Sequence, residues 1–136
     1  MGPAGVGPTR VRAPQRSVTA LARVVAYVPD LLFGSRVLSE LRHGGYDALL
    51  ASDVDFQTLS AADALVVDLT ADFENRIERV SEARSQGLRI LAFYSHVEPA
   101  VRERAEEARF DLIVPRSRVA REGTATLLDR LLADED

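Results

Sequence analysis

Short apolar runs alternate with amphipathic segments along the chain from Leu21 onward. Most of these runs are rich in β-branched or aromatic residues and have the length of buried strands. The run at 46–51 gives the weakest signal. The expected strands are Arg23–Val28, Tyr46–Ala51, Ala64–Leu69, Leu88–Tyr94 and Asp111–Val114.

The segments between these runs place apolar residues at helical spacing. Gly44–Gly45 and Gly87 are typical of helix C-terminal ends. Asp72 is expected to cap a helix, and Pro99 suits a first helical turn because its missing N–H is harmless there. Residues 53–61 are expected to form a short helix or a loop. The expected long helices are Leu31–His43, a helix carrying Phe73, Ile77 and Val80, a helix from Glu98 to about Arg109, and Thr124–Leu132.

Strands that alternate with helices predict a parallel sheet covered on both faces. Right-handed crossovers leave few topologies, and the flavodoxin-like order 2-1-3-4-5 fits a chain of this size best. We therefore expect an α/β three-layer sandwich with a five-stranded parallel sheet, formed by residues 21–136. The strand order rests on size and analogy, whereas the fold class rests on the spacing of the runs.

Residues 1–20 differ from the rest of the chain. They are rich in Gly and Pro, contain Arg10, Arg12 and Arg16, and have no acidic residue. Such a segment lacks the apolar periodicity needed to bury itself, so we expect a disordered N-terminal arm. No continuous apolar stretch follows the arginines, which argues against a secretory signal. The arm is either a contact for an acidic partner or nucleic acid, or a tail that does little.

Composition excludes several classes of chemistry. The 136 residues include no Cys and two His, and none of the 17 basic residues is Lys. Disulfides, thiolate catalysis, Schiff bases and a Walker-type lysine are therefore excluded. A net charge of −4 is the wrong sign for a general polyanion binder. No apolar run approaches the ~20 residues of a membrane span, so we expect a cytoplasmic domain without membrane or nucleic-acid partners.

Polar residues collect where the expected strands end, the edge at which open parallel sheets bind ligands. Helix starts also want Asp, Ser or Thr, so Thr70 and Asp72 are interpreted first as caps. Asp68 is different because it follows an apolar run inside a strand, and a carboxylate there needs a partner. We expect that partner among Ser95, His96 and Arg116. The full set of candidates at this edge is Asp30, Ser35, Asp68, Thr70, Ser95, His96, Arg116, Ser117 and Arg118.

The segment Asp63–Asp68, which reads DALVVD, resembles the third strand of receiver domains (CheY-like) of two-component response regulators. The second Asp of that motif, here Asp68, accepts a phosphoryl group in the family. The resemblance extends over roughly 115 residues in element order and length. It implies a flavodoxin-like fold and a role in signal transduction.

The remainder of the receiver signature is altered. The acidic pair that holds a divalent cation in the family falls on Val28 and Pro29, with Asp30 adjacent. The Ser or Thr that ends the fourth strand falls on Tyr94, and the family's Lys-Pro pair is replaced by Pro115–Arg116. Because Mg²⁺ prefers several oxygen ligands, the resemblance implies a degenerate receiver with no cofactor, or with weakly held Mg²⁺.

The resulting hypothesis is an atypical receiver-like domain that acts through protein–protein contacts without conventional phosphorylation of Asp68. It implies no enzymatic activity. Its partners are unidentified, and a homodimer is expected by resemblance, through the last two helices and the fifth strand.

Two alternatives remain. Arg116, Arg118 and Ser95 could bind a small anionic ligand, or these arginines could simply be solubilising groups balanced by nearby acids. The other alternative is a small enzyme with Asp68 and His96 as an acid–base pair.

Overall fold

The computed structural model describes residues 21–95 and 98–133. Within them, five strands form one sheet in the order β2-β1-β3-β4-β5, and each neighbouring pair is parallel. The expected flavodoxin-like order is confirmed. The strands are β1 (Arg23–Tyr27), β2 (Asp47–Ala51), β3 (Ala64–Asp68), β4 (Arg89–Tyr94) and β5 (Leu112–Pro115).

Helices cover both faces of this sheet and complete the three layers. One face packs against α1, α5 and α6, and the other against α2, α3 and α4. Burial of each large apolar side chain contributes about 1.5–3 kcal/mol, so these two cores supply most of the stabilisation. None of the helices in the described ranges is long and apolar enough to cross a membrane. The helices are α1 (Leu31–His43), α2 (Phe56–Ser60), α3 (Phe73–Ala83), α4 (Pro99–Glu107), α5 (Arg116–Glu122) and α6 (Thr124–Ala133).

Most helix boundaries agree with the sequence pattern, with two differences. The helix α3 ends at Ala83, well before Gly87, which instead adopts φ 87° in the turn before β4. The helix α5 was not expected, because Val119 is its one buried residue and a helix this short shows no periodicity. The expected arm, residues 1–20, lies outside the described residues.

Gly34 allows α1 to pack closely on the end of β1. A Cβ atom at this position would lie 2.8 Å from the main-chain oxygen of Val28 and 3.1 Å from a methyl carbon of Leu50. The Leu50 side chain can rotate away, but the main-chain oxygen cannot. Close approach of the backbone therefore explains a glycine inside a helix, where it costs about 1 kcal/mol relative to Ala.

We expect Gly34→Ala to lower the free energy of unfolding by about 1–3 kcal/mol through overpacking, in spite of its better helix propensity. Ser35→Ala is the matched control, because Ser35 is the next residue of α1 and is exposed. Its effect should stay within about 0.5 kcal/mol. Urea unfolding of both variants measures the difference, and a Gly34→Ala protein as stable as the wild type would contradict the packing argument.

Candidate functional site

Asp68 is the last residue of the central strand β3, at the edge of the sheet where all five strands end. It pairs in register with Phe93 of β4, and 3% of its surface is exposed. The preceding residues, 64–67, are apolar and completely buried because helices cover both faces of the sheet. A carboxylate at this depth is stable only if it is hydrogen-bonded or paired with a cation.

Thr70 and Arg76 provide the polar contacts of Asp68. The Oδ1 atom of Asp68 accepts hydrogen bonds from the Thr70 backbone N–H at 2.8 Å and from the Thr70 hydroxyl at 2.5 Å. Nη1 of Arg76 donates to the main-chain oxygen of Asp68 at 2.8 Å and lies 3.7 Å from its Oδ2. Only 14% of the Arg76 side chain is exposed. The carboxylate is therefore held by its own loop and by one guanidinium.

These contacts correct the expected partners of Asp68. Arg116 does not approach the carboxylate, because its guanidinium stacks over the Phe33 ring at 4.2 Å from the ring centroid. Phe33 in turn packs edge-to-face on Phe93. Ser95 is half-buried after β4 and makes no described hydrogen bond to Asp68. His96 lies outside the described residues, as does any acid–base pair that it would form.

The residues around Asp68 do not fit a Mg²⁺ site. The two positions before Asp30 that would supply carboxylates hold Val28, which is buried, and Pro29. Asp30 itself caps α1, since its Oδ1 accepts from the Phe33 N–H at 2.9 Å. Within the described ranges, no group of three His, Asp or Glu side chains could hold a metal ion. Magnesium requires oxygen ligands in octahedral geometry, whereas the Asp68 carboxylate already faces a guanidinium and Asp30 already caps a helix.

The two expected helix caps near Asp68 are also corrected. Thr70 makes its hydrogen bonds to Asp68 rather than to a helix N–H. Asp72 occupies the position before α3, but its backbone is left-handed, with φ 52°, and its side chain makes no cap hydrogen bond. Its Oδ2 accepts instead from the Asn75 side chain at 3.2 Å. The N-terminal end of α3 therefore lacks a side-chain cap.

Glu122 organises the arginines of α5 and α6. It accepts hydrogen bonds from Arg118 at 2.9 Å and from Arg130 at 2.8 Å, and Arg121 lies 3.7 Å away. The hydrogen bond from Arg118, followed by the nearby positive charges, lowers the pKa of Glu122. These ion pairs favour a structural role for Arg118. Ser35 on α1 and Ser117 on α5 are both exposed.

Arg76 is the important residue that the sequence interpretation missed. A signal for it exists, because Arg76 precedes the buried Ile77 and lies one turn before Val80 on α3. An arginine beside the inward stripe of a helix can reach back to the strand that precedes it. The strand and helix assignments together could have placed it near Asp68.

Comparisons with known proteins identify the fold. No protein-family model and no curated protein matches the sequence. Three solved structures illustrate the similarity. A “Putative pilus assembly-related protein” from Burkholderia pseudomallei K96243 aligns with a TM-score of 0.65 and 17% identity over 83% of this chain and 90% of that one. A response regulator from Thermotoga maritima aligns with a TM-score of 0.58 and 15% identity, over 78% of this chain and 98% of that one. A response regulator receiver protein from Burkholderia phymatum aligns with a TM-score of 0.53 and 20% identity, over 73% of this chain and 93% of that one.

These similarities, with the strand order, define the class of the protein: it has the fold of response-regulator receiver domains. The expected resemblance is thus confirmed at the level of the fold. Asp68 ends the central strand of this fold, next to the buried Val28 and the helix cap Asp30 of the loop after β1.

We expect Arg76→Met to lower the free energy of unfolding by about 3 kcal/mol, because it leaves a buried carboxylate without its cation. Arg104→Met is the matched control, since Arg104 pairs with Glu74 on the surface, where the two side chains are 47% and 69% exposed. Its effect should remain below about 1 kcal/mol. Equal effects of the two substitutions in urea unfolding would show that the Arg76 pair does not stabilise the buried edge.

Proposed function

We propose that this protein is an atypical receiver-like domain that acts in signalling or assembly through protein contacts, without conventional phosphorylation of Asp68. The observation that supports it is the buried contact of Asp68 with Arg76 and Thr70. The proposed role is a binding role and includes no catalytic turnover.

The chemistry of phosphoryl transfer supports this proposal. Formation of an acyl phosphate relies on a divalent cation and a fixed positive side chain to neutralise the developing charge. Here Oδ1 of Asp68 accepts two hydrogen bonds and Oδ2 faces the guanidinium of Arg76. Oδ1 is therefore hydrogen-bonded and Oδ2 lies beside a cation, and Val28 and Pro29 stand where further carboxylates would be needed to hold a metal.

Protein contacts are supported by an exposed aliphatic pair. Leu31 and Leu32, at the start of α1, are 78% and 87% exposed. Adjacent large aliphatic side chains at this level of exposure are typical of an interaction surface. The occurrence of the same fold in proteins named for response regulation and for pilus assembly agrees with a binding role.

We further propose that the Leu31–Leu32 pair mediates a homodimer. A two-fold contact must be self-complementary, and an apolar pair satisfies this requirement when it meets its own copy. The surface formed by α5 and α6 is less suited to it, because it exposes Arg116, Arg121 and Arg130.

The alternative anion site at Arg116, Arg118 and Ser95 has less support. The guanidinium of Arg116 lies on Phe33, and that of Arg118 is bound to Glu122. Neither group is oriented by a polar framework toward a common ligand.

Treatment with acetyl phosphate and Mg²⁺ tests the first proposal. We expect the intact mass of the wild type to stay unchanged, as for Asp68→Asn, because Asp68 cannot assemble the required cation. A conventional receiver domain in the same reaction serves as the positive control. A phosphoryl group added to the wild type but not to Asp68→Asn would defeat the proposal.

Sedimentation velocity over a wide concentration range tests the homodimer. We expect the wild type to associate and the Leu31→Ser/Leu32→Ser variant to remain monomeric, with little change in stability because both positions are exposed. Phe56→Ser is the matched control, since Phe56 is 61% exposed on α2. A monomeric wild type would contradict a contact through Leu31 and Leu32. Equal association of the Leu31→Ser/Leu32→Ser and Phe56→Ser variants would contradict it as well.

A further inference from the structure

A polar cleft lies beside Asp68, between the ends of β1 and β2 and the first turns of α3. Its volume is about 390 Å³. Among the residues that line it, Tyr27 and Ser52 carry hydroxyl groups, and Arg76 and Arg79 carry guanidinium groups. The remaining charged members are Asp53 and Asp72. Asp68 does not line it, so this cleft is separate from the acceptor position of the receiver fold.

Tyr27 is the most buried of the residues that line this cleft. The residue is 3% exposed, and its hydroxyl has no hydrogen-bond partner among the described residues. Burial, and then the negative charge of Asp53, raise the pKa of Tyr27, while Arg76 and Arg79 oppose the shift. Tyr27 lines the same cleft as these charged residues, and its hydroxyl is a protonated donor at neutral pH. A buried hydroxyl with no partner among the described residues can donate to an acceptor bound in the cleft.

The other groups of the cleft are also mainly donors. The helix α3 begins there without a side-chain cap, so its first N–H groups are available to an anion. Arg76 uses Nη1 for Asp68, and no hydrogen bond of its Nε or Nη2 is found among the described residues. Arg79 lies one helical turn further along α3 and completes the positive side of the cleft.

Asp53 now occupies the acceptor position opposite Arg79. Nε of Arg79 donates to its Oδ1 at 2.7 Å, and Nη2 donates to its Oδ2. This hydrogen-bonded contact is the main reason that the pKa of Asp53 is lowered. The pair connects the loop after β2 to α3, and both side chains are about half exposed, at 55% and 42%. Because Asp53 lies on an exposed loop, its carboxylate can move away and a competing oxyanion can then bind Arg79.

We propose that this cleft binds a phosphate-class oxyanion, either free phosphate or the terminal phosphate of a small phosphomonoester, which replaces the Asp53 carboxylate at Arg79 and accepts from the Tyr27 hydroxyl. When Asp53 leaves, the ligand is near two guanidinium groups and the start of α3, and Asp72 is the acidic residue that remains in the lining of the cleft. Binding is non-covalent. The inference goes beyond the proposed function, because it holds whether or not Asp68 can be phosphorylated.

Calorimetric titration of the full chain with inorganic phosphate and with glucose 6-phosphate tests this site. We expect Tyr27→Phe to weaken binding about tenfold, Arg79→Gln to abolish it, and Asp53→Asn to strengthen it about tenfold by removing the competing charge. Arg104→Gln, on α4 outside the cleft, should bind like the wild type. Tighter binding of glucose 6-phosphate assigns a phosphomonoester, and equal or tighter binding of inorganic phosphate assigns the free ion.

Amide chemical shifts of residues 73–75 provide the second measurement, because these N–H groups begin α3. They should move on addition of phosphate in the wild type and in Asp53→Asn. Absence of binding in both proteins, or binding that is unchanged in Tyr27→Phe and Arg79→Gln while both remain folded by circular dichroism, overturns the proposal. Failure of the proposed function would appear separately, as a covalent phosphoryl group on Asp68.

Discussion

The cost of burying the Asp68 carboxylate constrains the whole carboxyl edge of the sheet. A charge with 3% of its residue exposed loses most of its hydration. Thr70 restores two hydrogen bonds from within the same loop, and Arg76 supplies the positive charge from α3. Compensation of the Asp68 charge therefore joins β3, the loop that follows it and α3.

The charge that compensates Asp68 in this arrangement belongs to a permanent side chain. A cation that binds and leaves can couple a site to an external signal, whereas a guanidinium attached to α3 is always present. Two other polar residues near the carboxyl ends of the strands also have structural roles. Asp30 caps α1, and Arg116 stacks on Phe33. Asp68 likewise joins its own loop and α3 through Thr70 and Arg76.

The fold could be predicted from the sequence because its signals are local. Runs such as Ala64–Asp68 identify strands by themselves, and Gly44 and Pro99 mark helix boundaries. The partners of Asp68 could not be predicted in this way. Either Arg76 or Arg116 could have paired with its carboxylate, and the outcome depends on which other contacts each guanidinium can make in the folded chain. Arg116 finds the Phe33 ring, a contact between α5 and α1 that no periodicity encodes.

Arg76 connects the two parts of this edge. It donates to the main-chain oxygen of Asp68 and also lines the polar cleft that contains Tyr27. An oxyanion in that cleft attracts the same guanidinium that compensates Asp68, so occupancy of the cleft and the charge balance of the buried carboxylate are coupled. A ligand bound in the cleft would therefore act on Asp68 through Arg76.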